Sequence, residues 1–379
     1  MSDGNDGSGT NEGPAESTIE VTIEKTAEGI HEATNKGAKE VTYEATTAET
    51  TGSGNAGSRL TDADLMVGIG GTIGRTPVVP LARLFEDEPF EVHAKLEMFN
   101  PGGSSKDRPA LFILREAIRS GEIGRGSTVI ESSSGNMAVS LALLCRYMGI
   151  RFVCVVDPRT TDTHLRLIRS LGGEIDLVDE PDPASGDFLP ARIRRVRELR
   201  ETTPDSYWTN QYGNPNNYLS HYETTMPELL AALPRIDYLF CGVSSCGTIR
   251  GCAEWLKDSG LATKIIAVDA VGSVIFGGDR GKRQFPGLGA AMTPALSRGE
   301  LVDRIVYVSE RDCVEGCLAL SAKESILAGA SSGGVVAAIR AMKNDIPKGS
   351  VCAAILPDRG ERYLDTVYHE EWVRRHVLS

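Results

Sequence analysis

The stretch NPGGSSKDRPA, Asn100 to Ala110, places one lysine behind two glycines and two serines, immediately ahead of a segment of helical period, SKDRPALFILREAIRSG. A lysine at a helix start meets the positive end of the helix dipole, which disfavours its ammonium form. That suits an amine used as a nucleophile or Schiff-base former, although an ordinary surface lysine at a helix start fits this stretch alone equally well. The neighbouring segments fix the class of fold. EVHAKLEMF, STVIESSSG and RFVCVVD are short apolar runs, and they alternate with the helical segments SKDRPALFILREAIRSG and NMAVSLALLCRYMG. The rhythm returns over 237–243, 248–258, 264–270 and 350–356. An α/β chain with mostly parallel twisted sheets flanked by helices is expected.

In such folds ligands gather at the turns beyond the carboxyl ends of the strands, where helix N-termini offer free N–H groups to anions. Two more turns have that form: ESSSGN, Glu131 to Asn136, and VSSCGT, Val243 to Thr248. The second joins an apolar strand to the helical segment TIRGCAEWLK, and its hydroxyls and glycine suit a phosphate. No GK[ST] follows it and no GxGxxG occurs, so neither a P-loop nor a dinucleotide fingerprint applies. A tight turn with a Ser/Thr cap is the plain alternative. A phosphate loop, a lysine ready to meet an aldehyde and a polar SSSGN turn together suggest pyridoxal phosphate.

The rest of the chain narrows the setting. With 379 residues and a formal charge of −12, a nucleic-acid binder is not expected, nor attraction to anionic lipid. The eight cysteines lie mostly inside apolar runs without CxxC or Cys/His metal spacing, and read as buried reduced thiols of a cytoplasmic protein. Neither a signal-peptide pattern nor an apolar run long enough to span a membrane is found. Residues 1–58 hold almost no large apolar side chains and read as a disordered acidic and polar tail. His93, His164 and His221 stand isolated and offer no catalytic pairing; Trp208 and Trp372 read as packing residues.

With these motifs in hand, the chain resembles the pyridoxal phosphate (PLP) enzymes of the cysteine synthase and tryptophan synthase β type. NPGGSSKDR is similar to that family's Schiff-base lysine motif, ESSSGN to its asparagine loop, VSSCGT to its phosphate loop, and LAGASSGG to its pyridine-nitrogen serine segment. The resemblance implies a fold with PLP in the cleft between two domains. The larger, phosphate-binding domain would comprise 59–98 and 211–379, and a small mobile substrate domain 99–210. It also implies roles. Lys106 would hold PLP and move the Cα proton, Asn136 would bond the ring hydroxyl, and Ser331, or Ser332 beside it, would face the pyridine nitrogen. Ser244, Ser245, Cys246, Gly247 and Thr248 would hold the phosphate. Ser133, Ser134 and Asn136 would take the substrate carboxylate, with Gln211 closing over it and Tyr212 where phenylalanine is more usual. A serine rather than a carboxylate at the ring nitrogen makes PLP a weaker electron sink and favours β-elimination over transamination.

Within that family, the segments 270–290 and 355–372 look most like the N-(2-amino-2-carboxyethyl)-L-glutamate synthases. That likeness implies β-replacement on O-phospho-L-serine through an α-aminoacrylate, with L-glutamate as the amine nucleophile, for 2,3-diaminopropionate in siderophore or antibiotic pathways. A homodimer is expected. Both substrates are polyanions, so an acidic protein needs local cations for them; Arg280, Lys282, Arg283 and Arg359 are the candidates, and Arg280 and Arg283 are taken as substrate-binding. A solvated basic loop is the plain alternative. A cysteine synthase is the runner-up activity. A non-catalytic scaffold of the same fold is the reading from another class, and the presence of Lys106 weighs against it.

Overall fold

The computed structural model describes residues 60–378. The expectation of a disordered tail over 1–58 lies outside them.

The strands are β1 (Val78–Pro80), β2 (Glu91–Leu96), β3 (Thr128–Ser132), β4 (Arg151–Val156), β5 (Glu174–Leu177), β6 (Ser206–Trp208), β7 (Tyr238–Gly242), β8 (Lys264–Ala270), β9 (Arg304–Val308) and β10 (Val351–Leu356). The helices are α1 (Asp62–Met66), α2 (Asp107–Ser120), α3 (Asn136–Met148), α4 (Asp162–Ser170), α5 (Phe188–Thr202), α6 (Pro215–Ser220), α7 (Met226–Ala232), α8 (Gly247–Asp258), α9 (Glu310–Glu324), α10 (Ala330–Met342) and α11 (Glu370–His376). They build two sheets, one of six strands in the order β1-β2-β10-β7-β8-β9 and one of four in the order β5-β4-β3-β6. Only β1 and β2 pair antiparallel; every other strand pair is parallel. The α/β class expected from the alternating segments is the one observed.

Parallel strands covered on both faces read as near-continuous apolar runs, and β4, β7, β8 and β10 do so apart from the exposed Arg151 and Lys264 that open β4 and β8 and the buried Asp269 of β8; their residues are buried almost end to end. Separate apolar clusters form over the two sheets. Phe152, Val129, Leu114 and Leu141 pack with α2 and α3 against the four-stranded sheet, and Leu60 and Leu65 join them. Phe240, Leu356, Val335 and Ile339 pack in the cluster over one face of the six-stranded sheet. Leu239, Ile265 and Ile355 face the other way, toward α7 and α8. All eight cysteines are buried and none forms a disulfide. Among the described residues no helix is long and apolar enough to cross a membrane.

Charge is also buried in this core, beside the lysine motif. Arg108, on the first turn of α2, sends Nε and Nη2 to the two carboxylate oxygens of Glu97 at 2.7 Å each, and Nη1 to Glu228 Oε1 at 2.7 Å. Lys95 Nζ meets Glu228 Oε2 at 2.6 Å. Burial alone would raise the Glu97 carboxyl, but Arg108 and the Thr76 hydroxyl hold it down at about 2. This network ties β2, α2 and α7 together at the turn of α2 that follows Lys106.

Candidate active site

The loop 100–106 is shaped by its glycines. Gly103 has φ of +80°, and a Cβ there would lie 2.9 Å from Arg362 Nη2; a Cβ on Gly102 would lie 2.3 Å from Asp107 Oδ1. Close approach is therefore required at both positions, and left-handed backbone at Gly103. Asp107 accepts from the Gly102 N–H and from the Ser140 hydroxyl of α3, so the lysine loop is locked to the helix that begins at Asn136. On its other side the loop is stitched to the exit of β10: Ser105 N–H donates to Pro357 O at 2.8 Å and Arg359 N–H to Gly103 O at 3.2 Å. Lys106 then stands at the N-cap position of α2, facing the cleft. Burial pushes its ammonium below the usual range, while the Asp358 carboxyl acts in the opposite direction.

The cleft, including its mouth, measures ≈ 580 Å³. Of the residues singled out in the sequence, Lys106, Ser133, Ser134, Asn136, Gln211, Tyr212, Ser244 and Ser245 line it together, from four separate segments of the chain. Cys246, Gly247 and Thr248 lie just behind Ser245, where α8 begins. Cys246 adopts φ of +64° as the N-cap of α8, the left-handed conformation that explains why glycine would serve there. Its buried thiol is pushed up to about 12 by loss of solvent, so it is a neutral packing group. A Cβ on Gly247 would lie 1.9 Å from Asn217 Oδ1. Asn217 in turn donates to Gln211 O at 2.6 Å and to Ser245 Oγ at 3.3 Å, which joins the glutamine segment to the phosphate-type loop. Thr248 Oγ1 is 3.2 Å from the buried His221 ring. Ser331 and Ser332 are buried on the first turn of α10; the Ser331 Cβ lies 3.9 Å from where a Cβ on Gly242 would sit, and Ser332 Oγ has no partner among the described residues.

The Asn136 amide is held from the six-stranded side: Nδ2 donates to Asp358 Oδ2 at 2.7 Å and Oδ1 accepts from Arg362, which also bonds Gly102 O. Gln211 is fixed through Glu131, whose carboxylate accepts from the Gln211 N–H at 3.0 Å, while Gln211 Nε2 donates to Ser132 O at 3.1 Å.

The candidate cations sort differently from their sequence reading. Arg280 is half-exposed and spends its guanidinium on Asp187 and on Ala291 O, so the structure does not bring it to the cleft. Arg283 donates to Leu288 O, has no partner for Nε among the described residues, and also lies outside the cleft lining. Arg359 donates to Met98 O at 2.8 Å. Two residues that the sequence did not single out for this task line the cleft instead: Arg192 of α5 and His164 of α4. Arg192 is 7% exposed, lies 3.3 Å from Asp157 Oδ2 through Nε, and keeps Nη1 unpartnered among the described residues.

These groups fit PLP. The cleft offers a lysine with depressed basicity for the aldehyde, the hydroxyls of Ser244 and Ser245 with the N-terminus of α8 for a phosphate, and a buried Ser132 hydroxyl that has no partner among the described residues. Residues 69–358 match the family described as pyridoxal-phosphate dependent enzyme. The chain belongs to that family, and its cofactor is PLP. It is 45% identical over 308 residues to the N-(2-amino-2-carboxyethyl)-L-glutamate synthase of Ralstonia nicotianae, covering 81% of this chain and 91% of that one. The protein of the same name from Cupriavidus metallidurans is 44% identical over 308 residues, 80% of this chain and 90% of that one. Among solved structures, O-ureido-L-serine synthase superposes with a TM-score of 0.74 at 32% identity, covering 82% of this chain and 95% of that chain. The protein is thus an enzyme of the synthase type within the PLP family.

Proposed function

We propose that the enzyme replaces the β-substituent of O-phospho-L-serine with the amino group of L-glutamate, giving N-(2-amino-2-carboxyethyl)-L-glutamate. The observation that carries this reading is the likeness to two synthases of that name over four fifths of the chain. The cleft supports it: Arg192 presents an unspent N–H in a pocket that no Asp or Glu lines among the described residues, which suits anionic substrates.

When bound through Lys106, PLP supplies an electron sink for the carbanion at Cα. The chain's own residues do the rest in this proposal. Lys106 would take the Cα proton, and its lowered basicity leaves a larger share of neutral amine at working pH. Ser133, Ser134 and Asn136 bind the substrate carboxylate, and Gln211 closes over it. Asn136 also bonds the ring hydroxyl, Ser331 the ring nitrogen, and Ser244 to Thr248 the phosphate. Arg192 holds the polyanionic end of the substrates. We further take 99–210 as a substrate-side domain that moves against 59–98 and 211–379. Asp358 and Arg362 reach across to Asn136 and Gly102, and would serve as its latch.

The test supplies O-phosphoserine or O-acetylserine, each with glutamate or sulfide, and identifies the products by mass. An amine adduct from O-phosphoserine and glutamate is expected. Efficient cysteine formation from O-acetylserine and sulfide, with no glutamate adduct, overturns the reading in favour of a cysteine synthase.

A further inference from the structure

An amino group used as a nucleophile arrives as an ammonium ion at neutral pH and must lose a proton to form a bond to carbon. The cleft has few groups able to take one. Among the described residues lining it there is no carboxylate; the hydroxyls of serine and tyrosine are weak bases, and Lys106 is committed to the Cα proton in the proposed cycle. His164 is the remaining candidate. It is buried, lines the cleft, and its Nε2 has no partner among the described residues, while Nδ1 sits 2.8 Å from Thr161 Oγ1.

We propose that His164 is the proton acceptor for the amine nucleophile: Nδ1–H donates to Thr161 and the Nε2 lone pair faces the incoming ammonium group. The assignment rests on the amine reading above. As the new N–C bond forms at the substrate's β-carbon, one N–H proton passes to Nε2. Phosphate has already left with the electron pair of the C–O bond, Lys106 returns a proton to Cα, and the imidazolium gives its proton to water. The atoms balance without a further reactant.

The surroundings keep the free ring neutral and hence able to accept. Burial pushes the His164 imidazole down to about 4, and the Arg362 charge acts in the same direction. Its place in the first turn of α4 adds the positive end of the helix dipole. Arg192 lines the same cleft. A bound dianionic amine donor brings negative charge to this cluster and raises the basicity of the ring when the reaction needs it. Thr161 is only partly buried, so its hydroxyl can donate to water while its oxygen accepts from the ring and from the His164 N–H.

The test compares two nucleophiles on the PLP-loaded protein. The glutamate amine is almost wholly protonated at neutral pH and must be deprotonated, whereas about half of the sulfide is already HS⁻. For His164→Gln, the turnover ratio of glutamate to sulfide should fall about 100-fold, the scale of general-base assistance, and the deficit should shrink as the pH is raised and more of the amine arrives neutral. Thr161→Val, which keeps the ring and removes its orienting partner, should lower the same ratio about tenfold. Proton–nitrogen correlation spectra of histidine-labelled protein, assigned with the His164 variant, should show a neutral ring protonated on Nδ1. Equal losses with both nucleophiles, or a ring protonated on Nε2, overturn the assignment. Wild-type enzyme that makes no adduct from glutamate overturns the amine reading itself, and the role of His164 with it.

Discussion

Replacing Arg108 by methionine tests whether the buried ion network is what holds the lysine loop. Arg108 is 1% exposed and forms a two-pronged pair with Glu97, which is also fully buried. The Glu97 carboxyl is held at about 2 against an ordinary 4.5. A depression of that size corresponds to roughly 3 kcal/mol. Because the folded value lies below the unfolded one, this stabilisation is fully present above about pH 4.5 and is lost as pH falls through the folded value. In Arg108→Met the carboxylate is left in a dry core with only Thr76 and Asn100 as donors. Breaking one partner from a buried pair costs about 3–5 kcal/mol. The variant should therefore lose about that much at neutral pH. Toward about pH 3 the difference should narrow, as Glu97 takes up a proton in the variant and the wild type loses its own advantage. Reversible urea unfolding of the two proteins across that pH range measures both quantities. A loss below about 1 kcal/mol at neutral pH, or a gap that stays constant down to acid, would refute the reasoning.

Other outcomes follow from the same geometry. Lys106→Ala should abolish the absorbance of lysine-bound cofactor; borohydride reduction that labels a different lysine in the wild type would reassign it. Gly247→Ala should weaken PLP binding by an order of magnitude or more, since its methyl would collide with Asn217 in the phosphate-type loop. Cys246→Gly, which accepts the same left-handed backbone, should bind PLP within a few-fold of wild type; equilibrium titration of the apoprotein measures both. Arg192→Ala should raise the KM for O-phosphoserine or glutamate tenfold or more, because a buried carboxylate or phosphate loses its partner at a cost of a few kcal/mol. Arg280→Ala, already spent on Asp187, should change it less than threefold.

What the sequence revealed depended on how local each signal was. The lysine, asparagine and phosphate-type loops each contain the residues that shape them and the residues that face the cleft, so a few adjacent letters carry both. Gly102 and Gly103 are there because Asp107 and Arg362 leave no room for a Cβ, and Cys246 is tolerated because its position needs a left-handed backbone. The sheet alternation was equally legible, because strands buried on both faces have little freedom in composition. The cations were not. Arg192 sits in FLPARIRRVRELRET among four other arginines, and nothing in that run tells which one turns inward. Arg280 belongs to a segment that distinguishes family branches, yet Asp187, 93 residues earlier, occupies it. His164 reads as an isolated helix residue; only the fold brings it into the lining of the same cleft as Arg192. Three-dimensional proximity between α4, α5 and the loops leaves no periodic trace in a single sequence.

The central claim is that this PLP enzyme joins an amine to the carbon skeleton of O-phosphoserine. Incubation of the holoenzyme with O-phosphoserine and glutamate labelled with ¹⁵N tests it most directly, by mass spectrometry of the amino-acid products alongside assay of free phosphate. The account predicts one adduct that carries both carbon skeletons and the labelled nitrogen, formed in step with phosphate. Phosphate released with pyruvate and ammonia alone, and the label remaining wholly in glutamate, would contradict it.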